Sequence, residues 1–305
     1  MISKEEFLKR LHEYLSSNVS SEEMLRLTDI HEMGRGFFSS VILFFYTVIF
    51  VCFAAKNSNR VTTVTMDTET KAAFILFICS LVLPVIAFFC SKNLIKQKKS
   101  KISSFILSLF GGAYGKHTIS KDILKKSGLF ENYLINREDD SFSGQIFNTQ
   151  FSVVEYGIAA SAFEVDNLAF KNRIYIKIDL KKRFLGHTQI INKKMPLANY
   201  DTRVNLEDVE FIKEFNVFST DQIDARKILT PVFIEKLKKL KMIFGGKRID
   251  AVFFDNVALF AINVADDMFQ IFPQNRYDLS VSFYERFYDE INAIYDMIKF
   301  LNIEN

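Results

Sequence analysis

Two long apolar runs stand near the start of the sequence: GFFSSVILFFYTVIFVCFAA at residues 36–55 and AAFILFICSLVLPVIAFFCS at residues 72–91. Each has about 20 residues without a charged side chain, a length that matches the ~30 Å hydrocarbon core of a bilayer. Backbone amides in lipid must be satisfied within their own segment, so the runs predict two helices that form a transmembrane hairpin. Two buried helices of a soluble core are the less favoured alternative, because such helices usually keep a polar stripe.

The basic residues that flank these runs predict their orientation. The loop between the runs has three Lys and Arg residues, whereas the arm before them has five. Because cytoplasmic flanks carry an excess of such residues, we expect an inner-membrane protein with both termini in the cytoplasm. The second run is followed by a basic run that would bind an anionic leaflet, which makes the lipid bilayer an expected partner. That basic run consists of Lys92, Lys96, Lys98, Lys99 and Lys101.

Composition sets the broad class and the domain limits. A chain of 305 residues allows a membrane segment and one further domain. The net charge of +3, with dispersed lysines, gives no support to nucleic-acid binding. All three cysteines lie in the apolar runs, so neither a disulfide framework nor a thiolate metal site is expected elsewhere. The predicted parts are a helical arm at 1–35, the hairpin at 36–91, a basic helical linker at 92–126 and a cytosolic domain at 127–305.

The arm and the linker both show helical patterns. Ser3 and Glu6 have the spacing of a capping box, and the apolar residues that follow lie on one helical face. This amphipathic arm could lie on the inner leaflet, bind a partner or pack on the C-terminal domain. Residues 102–110 form an apolar stripe with serines opposite, which is typical of an interfacial helix or of the first core helix of the domain.

Short strand patterns dominate the middle of the cytosolic domain. Residues 173–180, RIYIKIDL, alternate apolar and polar side chains, which predicts a half-buried strand. The next segment can turn this strand into a partner at about 187–192. Because strands that follow one another on short turns pair in opposite directions, we expect an antiparallel sheet. Further strands are predicted within 142–158, at 249–254 and 257–264 around an Asp255-Asn256 turn, and at 268–272.

Helices are predicted to interrupt and close the sheet. Ser219 and Gln222 have capping-box spacing at the start of a helix over 221–229. Thr230 is expected to cap the next helix, with Pro231 at its first position. Residues 282–301 place an aromatic and aliphatic stripe on one helical face, a pattern typical of core packing. The predicted fold class is therefore α+β, with the helical arm, the two-helix transmembrane hairpin and a cytosolic antiparallel sheet packed by helices.

Motifs for catalysis or cofactor binding are missing from the sequence. The four histidines are far apart and have no metal-ligand spacing, and the carboxylate clusters lack the pattern of a calcium loop. The glycine-rich segment at 111–118 has the wrong spacing for a phosphate-binding loop. No nucleophile elbow is present. We therefore expect no cofactor and no metal, and the sequence favours a protein that is not an enzyme.

Three segments resemble a known family. They are FNVFSTDQIDARKILTP at 215–231, SGLF at 127–130 and FFDN at 253–256. With the apolar hairpin they resemble, over about residues 37–272, an uncharacterised bacterial membrane family known as domain of unknown function 3137. Lys171-Asn172-Arg173 departs from the turn that is usual in that family. The resemblance implies a membrane location and a cytosolic α+β domain, but no activity. Members are often encoded beside LemA-like membrane proteins, which implies such a partner.

These observations favour a membrane-anchored interaction or scaffold module. Asp221, Gln222 and Arg226 are the candidate docking residues, although capping and pairs within one helix would also explain them. An enzyme at the inner leaflet, with a site not visible in the sequence, is one alternative. A subunit of a larger membrane assembly is the other.

Overall fold

The structure is a computed structural model, and it describes residues 2–18, 86, 89–90, 93–94, 96–115, 119–129, 134–159, 171–193, 202–246, 248–264 and 281–303. The chain divides into two compact units. One unit, called the sheet domain below, consists of Met1–Leu8, Ile102–Ile271 and Ser280–Asn305. The other consists of Lys9–Lys101 and Phe272–Leu279.

The sheet domain is built on one antiparallel sheet. Its described residues form eight strands in the order β1-β2-β3-β4-β8-β7-β5-β6. Every neighbouring pair runs antiparallel, as the sequence predicts. The strand bounds are β1 Gly112–Tyr114, β2 Leu134–Ile146, β3 Thr149–Ala159, β4 Lys171–Asp179, β5 Thr188–Asn192, β6 Phe215–Ser219, β7 Arg248–Phe254 and β8 Val257–Val264.

Two tight turns define the hairpins of the sheet. β7 and β8 are joined at Asp255-Asn256 as predicted, and Asp255 has a φ of 50°. β2 and β3 are joined by Phe147 and Asn148, with φ angles of 49° and 61°. At the β2–β3 turn both residues are left-handed, which matches the twist of the flanking strands and explains why two residues are enough to connect them.

The partners of β5 differ from the prediction. β4 lies between β3 and β8, and β5 pairs with β6 and β7 instead of β4. After β4 the chain crosses the end of the β7–β8 hairpin, where Leu180 N–H donates to the Asn256 carbonyl at 2.7 Å and Phe184 N–H donates to the Asp255 carbonyl at 2.5 Å. These hydrogen bonds hold the connection against the end of the β7–β8 hairpin. β4 therefore pairs with β8 on one side of the hairpin, and β5 pairs with β7 on the other side.

Seven helices are described. They are α1 Lys4–Asn18, α2 over residues 96–108, α3 Lys121–Ser127, α4 Val209–Glu214, α5 Gln222–Ile228, α6 Pro231–Ile243 and α7 Val281–Ile303. Thr230 caps α6 by accepting a hydrogen bond from Phe233 N–H, and Pro231 is its first residue, as predicted. The predicted Ser219 cap of α5 is wrong, because β6 continues to Ser219 and the N-cap is Asp221.

Both faces of the sheet are covered. On one face, Leu124 and Leu129 from α3 and the segment after it pack with Tyr175 and Val252. The other face packs against the C-terminal helices, where the ring of Phe233 lies 5.6 Å from that of Phe253. The prediction that β4 is half-buried is wrong for its first half, because Arg173 and Tyr175, which alternate with its core isoleucines, are inaccessible to solvent. In the second half, 17% of the Lys177 side chain and 28% of the Asp179 side chain are exposed.

The first residues of the arm pack on α7. The ring of Phe7 lies 5.3 Å from that of Tyr288, whose hydroxyl donates to the Ile2 carbonyl at 2.9 Å. Lys4 pairs with Asp289 at 3.1 Å. Of the roles predicted for the arm, packing on the C-terminal domain is the one that residues 2–8 adopt. In α2, Ile102 and Ile106 of the apolar stripe are buried and Phe105 is half-buried, and Ser103, opposite the stripe, is buried too.

The predicted fold class needs a correction, since the structure has no transmembrane hairpin among its described residues. No described helix is both long and apolar enough to cross a bilayer. The longest, α7, is 23 residues long and has charged side chains along it, including Glu285, Arg286 and Asp289. The predicted spans at 36–55 and 72–91 lie outside the described residues, except for Ile86, Phe89 and Cys90. The predicted strand at 268–272 also lies outside them.

Candidate docking surface

The segment between β4 and β5 is fastened to the start of α5. Leu185 N–H donates to the carboxylate of buried Asp224 at 2.9 Å. His187 N–H donates to the Thr220 hydroxyl at 2.8 Å, and Thr220 N–H donates back to the His187 carbonyl at 3.2 Å. Because both segments are held by several hydrogen bonds, the surface that they share has a defined shape before any partner binds.

Close packing and capping strengthen this junction. Asp221 accepts hydrogen bonds from the N–H groups of Ile223 and Asp224 at 2.9 and 3.0 Å, which satisfies two donors that the first turn of α5 leaves unbonded. At Gly186, an added Cβ would lie only 2.7 Å from the Cβ of Asp221. A side chain at position 186 would therefore push against the cap, and glycine is the residue that fits.

Two large aliphatic side chains stand out from this fixed backbone. Leu185 is 84% exposed and Ile223 is 70% exposed. Single exposed aliphatic residues are common on protein surfaces. Here, however, the two lie on segments that are hydrogen-bonded to each other, through Leu185 N–H and the carboxylate of the residue that follows Ile223. We call Leu185, Ile223, Arg226 and Lys227 the docking surface.

The basic members of the docking surface come from α5. Positions 223, 226 and 227 have the i, i+3, i+4 spacing that places side chains on one helical face. Arg226 and Lys227 are exposed, and no ion pair is found for either among the residues that the structure describes. The surface therefore combines aliphatic side chains with two cations, and the nearby carboxylates of Asp221 and Asp224 are used in hydrogen bonds to backbone N–H groups.

The structure gives the three predicted docking residues different roles. Asp221 is the cap of α5. Gln222 donates long hydrogen bonds of 3.4 Å to the carbonyls of Thr202 and Arg203, across to a neighbouring segment. Arg226 is the one exposed residue of the three, and neither pair proposed for it within α5 is formed among the described contacts. Leu185 was missed because it lies in a connection that the sequence identified only as a turn.

A charged and aromatic cluster lies at the same end of the sheet. Lys126, in the last turn of α3, pairs with Asp255 at 2.5 Å, and its carbonyl is 3.0 Å from His187 Nε2. The imidazole stacks on Phe254 with 5.6 Å between ring centroids. The hydrogen bond from Lys126 holds the pKa of Asp255 below its usual value against desolvation, and the charges of Lys126, Arg183 and His187 act in the same direction.

A second polar cluster lies in the interior, and the sequence did not predict it. Asp250, with a side chain 0% exposed, accepts from the guanidinium groups of Arg173 at 2.7 Å and Arg248 at 2.5 Å, and from Asn192 N–H at 2.9 Å. Arg173 also donates to the Leu129 carbonyl at 3.2 Å. These bonds join β4, β5, β7 and the segment after α3. Because Asp250 and Arg173 are sealed from solvent, the cluster holds the sheet together and offers a ligand no access.

The structure describes four of the five residues of the basic run. Lys92 lies outside the described residues, whereas Lys96 and Lys101 are exposed and Lys98 and Lys99 are half-buried.

Within the described part of the chain, no group of three or more His, Cys, Asp or Glu side chains could hold a metal ion.

The chain is similar to a protein family and to a solved structure. Residues 173–303 match the model of DUF3137, described as a protein of unknown function, which confirms the resemblance over that part of the chain. No curated protein matches. Among solved structures, the crystal structure of the mycobacterial trehalose monomycolate transport factor A, TtfA, is similar over 67% of this chain and 94% of that chain, at 14% identity and a TM-score of 0.38.

Proposed function

We propose that this protein is an interaction module without catalytic activity, and that its docking surface binds a partner protein. The observation that carries the proposal is the exposure of Leu185 and Ile223 on a backbone that is already held in place. Apolar groups on a fixed surface lose little conformational freedom when a partner covers them, so more of the binding free energy is retained.

The chemistry of the surface specifies the partner. Leu185 and Ile223 need an apolar pocket, and Arg226 with Lys227 favours acidic side chains around that pocket. Complementary charge at the rim speeds association and rejects partners of the wrong sign. A LemA-like membrane protein, the partner that the family resemblance implies, is the first candidate to test.

The proposed location is the cytoplasmic face of the inner membrane, with the sheet domain in the cytoplasm. The support is the pair of charge-free runs at 36–55 and 72–91 and the basic run that follows them in the sequence. We expect the protein to stay with membranes after alkaline carbonate extraction. A cysteine placed at Asn275 should not react with a membrane-impermeant thiol reagent in intact cells. Extraction by carbonate, or labelling at position 275, would contradict this location.

The docking surface can be tested with charged substitutions at its apolar residues. A Leu185→Asp, Ile223→Asp double variant should keep the wild-type melting temperature, because both side chains are largely exposed. It should lose the LemA-like protein in crosslinking and co-purification from native membranes. The matched control is Val209→Asp, Met242→Asp, at residues that are 60% and 72% exposed elsewhere on the domain. It should keep the partner.

The arginine provides a second, milder test. Arg226→Ala should leave the melting temperature unchanged and weaken co-purification, since an exposed charge contributes about 0–1 kcal/mol to stability. If both the aspartate double variant and Arg226→Ala keep every crosslinked partner, the docking surface is not where partners bind.

A further inference from the structure

An open cleft at the C-terminal end of α7 is not explained by the docking surface. Its volume is about 580 Å³, within the range of small-molecule sites. Buried Leu180 and Leu301 form apolar parts of its lining, and Phe147 from the β2–β3 turn also lines it. The cleft lies wholly in the sheet domain and shares no residue with the docking surface.

Positive charge surrounds the cleft. Lys181 and Lys182 follow β4, and Lys299 comes from α7. No ion pair is found for any of the three among the described residues, whereas Lys177 and Lys239 elsewhere in the domain are paired with Asp179 and Asp296. Three ammonium groups on one concavity raise its potential and favour an anion.

Asn302, the uncharged polar residue of the lining, also has a hydrogen-bond donor. Asn302 accepts a hydrogen bond from the Thr149 hydroxyl at 2.8 Å through its carbonyl oxygen. Its amide nitrogen is buried with no hydrogen-bond partner in the described structure, so the wall of the cleft contains an unsatisfied donor. Ammonium groups carry only donors, so the polar lining of the cleft offers donors to an acceptor-rich ligand.

Phe147 is held in a backbone conformation that is costly for its side chain. Its φ of 49° belongs to the left-handed region, which bulky residues rarely adopt. The ring is 61% exposed, so it gains little from core packing. Asparagine or glycine would fit this turn better. A strained and exposed aromatic residue beside a basic cleft points to a role in binding.

We propose that this cleft binds a phosphate ester with an apolar organic part. The three lysines would hold the phosphate, since lysine is a common point-charge ligand of phosphate and the dianion balances much of the local charge. Phe147, Leu180 and Leu301 would contact the organic part. The same chemistry could come from a soluble phosphate ester or from the headgroup and first chain carbons of a phospholipid.

The test measures binding to the full-length protein in detergent by calorimetry at low salt, with phenyl phosphate and inorganic phosphate as probes. Phenyl phosphate should bind more tightly than inorganic phosphate. The triple variant Lys181→Gln, Lys182→Gln, Lys299→Gln should bind phenyl phosphate at least tenfold more weakly than wild type does. The control variant Lys121→Gln, Lys125→Gln, Lys213→Gln removes the same charge at exposed sites outside the cleft and the docking surface, and it should bind like wild type. Equal losses in the two triple variants, or no binding by wild type, would overturn the proposal.

Phe147→Asn separates binding from stability. Asparagine tolerates the left-handed turn, so the variant should melt no lower than wild type yet lose the preference for phenyl phosphate over inorganic phosphate. An unchanged preference would remove Phe147 from the site and overturn its part in the proposal. Competition then assigns the source: displacement by monomeric dihexanoyl phosphatidic acid but not by glycerol 3-phosphate supports a lipid, and equal displacement by both supports a soluble ester.

Discussion

Removal of the Asp250 carboxylate should destabilise the sheet domain severely. Asp250→Ala deletes the acceptor of hydrogen bonds from Arg173, Arg248 and the Asn192 N–H. Arg173 is 0% exposed, so its guanidinium cannot turn to water to replace this carboxylate. The loss of one partner from a buried ion pair costs about 3–5 kcal/mol. For a domain of this size that corresponds to a fall in melting temperature of about 6–20 °C.

The assay is thermal unfolding of the full-length protein, followed by circular dichroism, with two comparison variants. Asp296→Ala breaks an exposed pair of 3.5 Å with Lys239 and should cost about 0–1 kcal/mol. Arg173→Met, Asp250→Leu removes both charges of the buried pair and should melt above Asp250→Ala, because apolar replacement of a buried pair is often neutral. An Asp250→Ala melting temperature within about 2 °C of the Asp296→Ala value would refute the reasoning.

Three further predictions concern single groups. Thr230→Ala removes the hydrogen bond to Phe233 N–H at the start of α6 and should cost about 0.5–2 kcal/mol in urea unfolding; no loss would contradict the capping role. Lys126→Met should raise the pKa of Asp255 toward its ordinary value of 3.8, measured by NMR titration of the carboxyl carbon. Since the folded pKa is lowered, the stability from Asp255 is present above 3.8 and is lost as the pH falls through the folded value; an unchanged pKa would exclude Lys126 as the main cause. Burial raises the pKa of Tyr284 to about 12. In an ultraviolet titration, Tyr284→Phe should therefore lack a phenol that ionises near that pH in the wild type. A titration curve identical to that of the wild type would contradict this assignment.

Local signals predicted the elements that depend on a few neighbouring residues. The Asp255-Asn256 turn, the Thr230-Pro231 helix start and the apolar face of α7 are all as the sequence indicates. In each case the decisive interactions join residues that are close in the chain, such as a cap with its own first turn. The predicted cap of α5 is wrong although it also concerns neighbouring residues. Ser219 and Asp221 are both good capping residues, and because β6 continues to Ser219, Asp221 is the cap.

The candidate sites were predicted only in part. The segment around Arg226 was singled out from the sequence, but Leu185 reaches the same surface through a hydrogen bond between distant segments. The basic cleft combines the β2–β3 turn, the residues after β4 and the end of α7, which no local pattern connects.

By itself, the sequence determined that residues after 127 form short antiparallel strands with helices, since period and turn chemistry are properties of the chain. Only the tertiary structure decided which strands are neighbours and which polar residues are buried. Arg173 alternates with isoleucines in a pattern typical of an exposed face, yet α3 and the segment after it cover that face. Alternation specifies that two faces differ in polarity. What covers each face depends on segments far away in the chain, and burial depends on that cover.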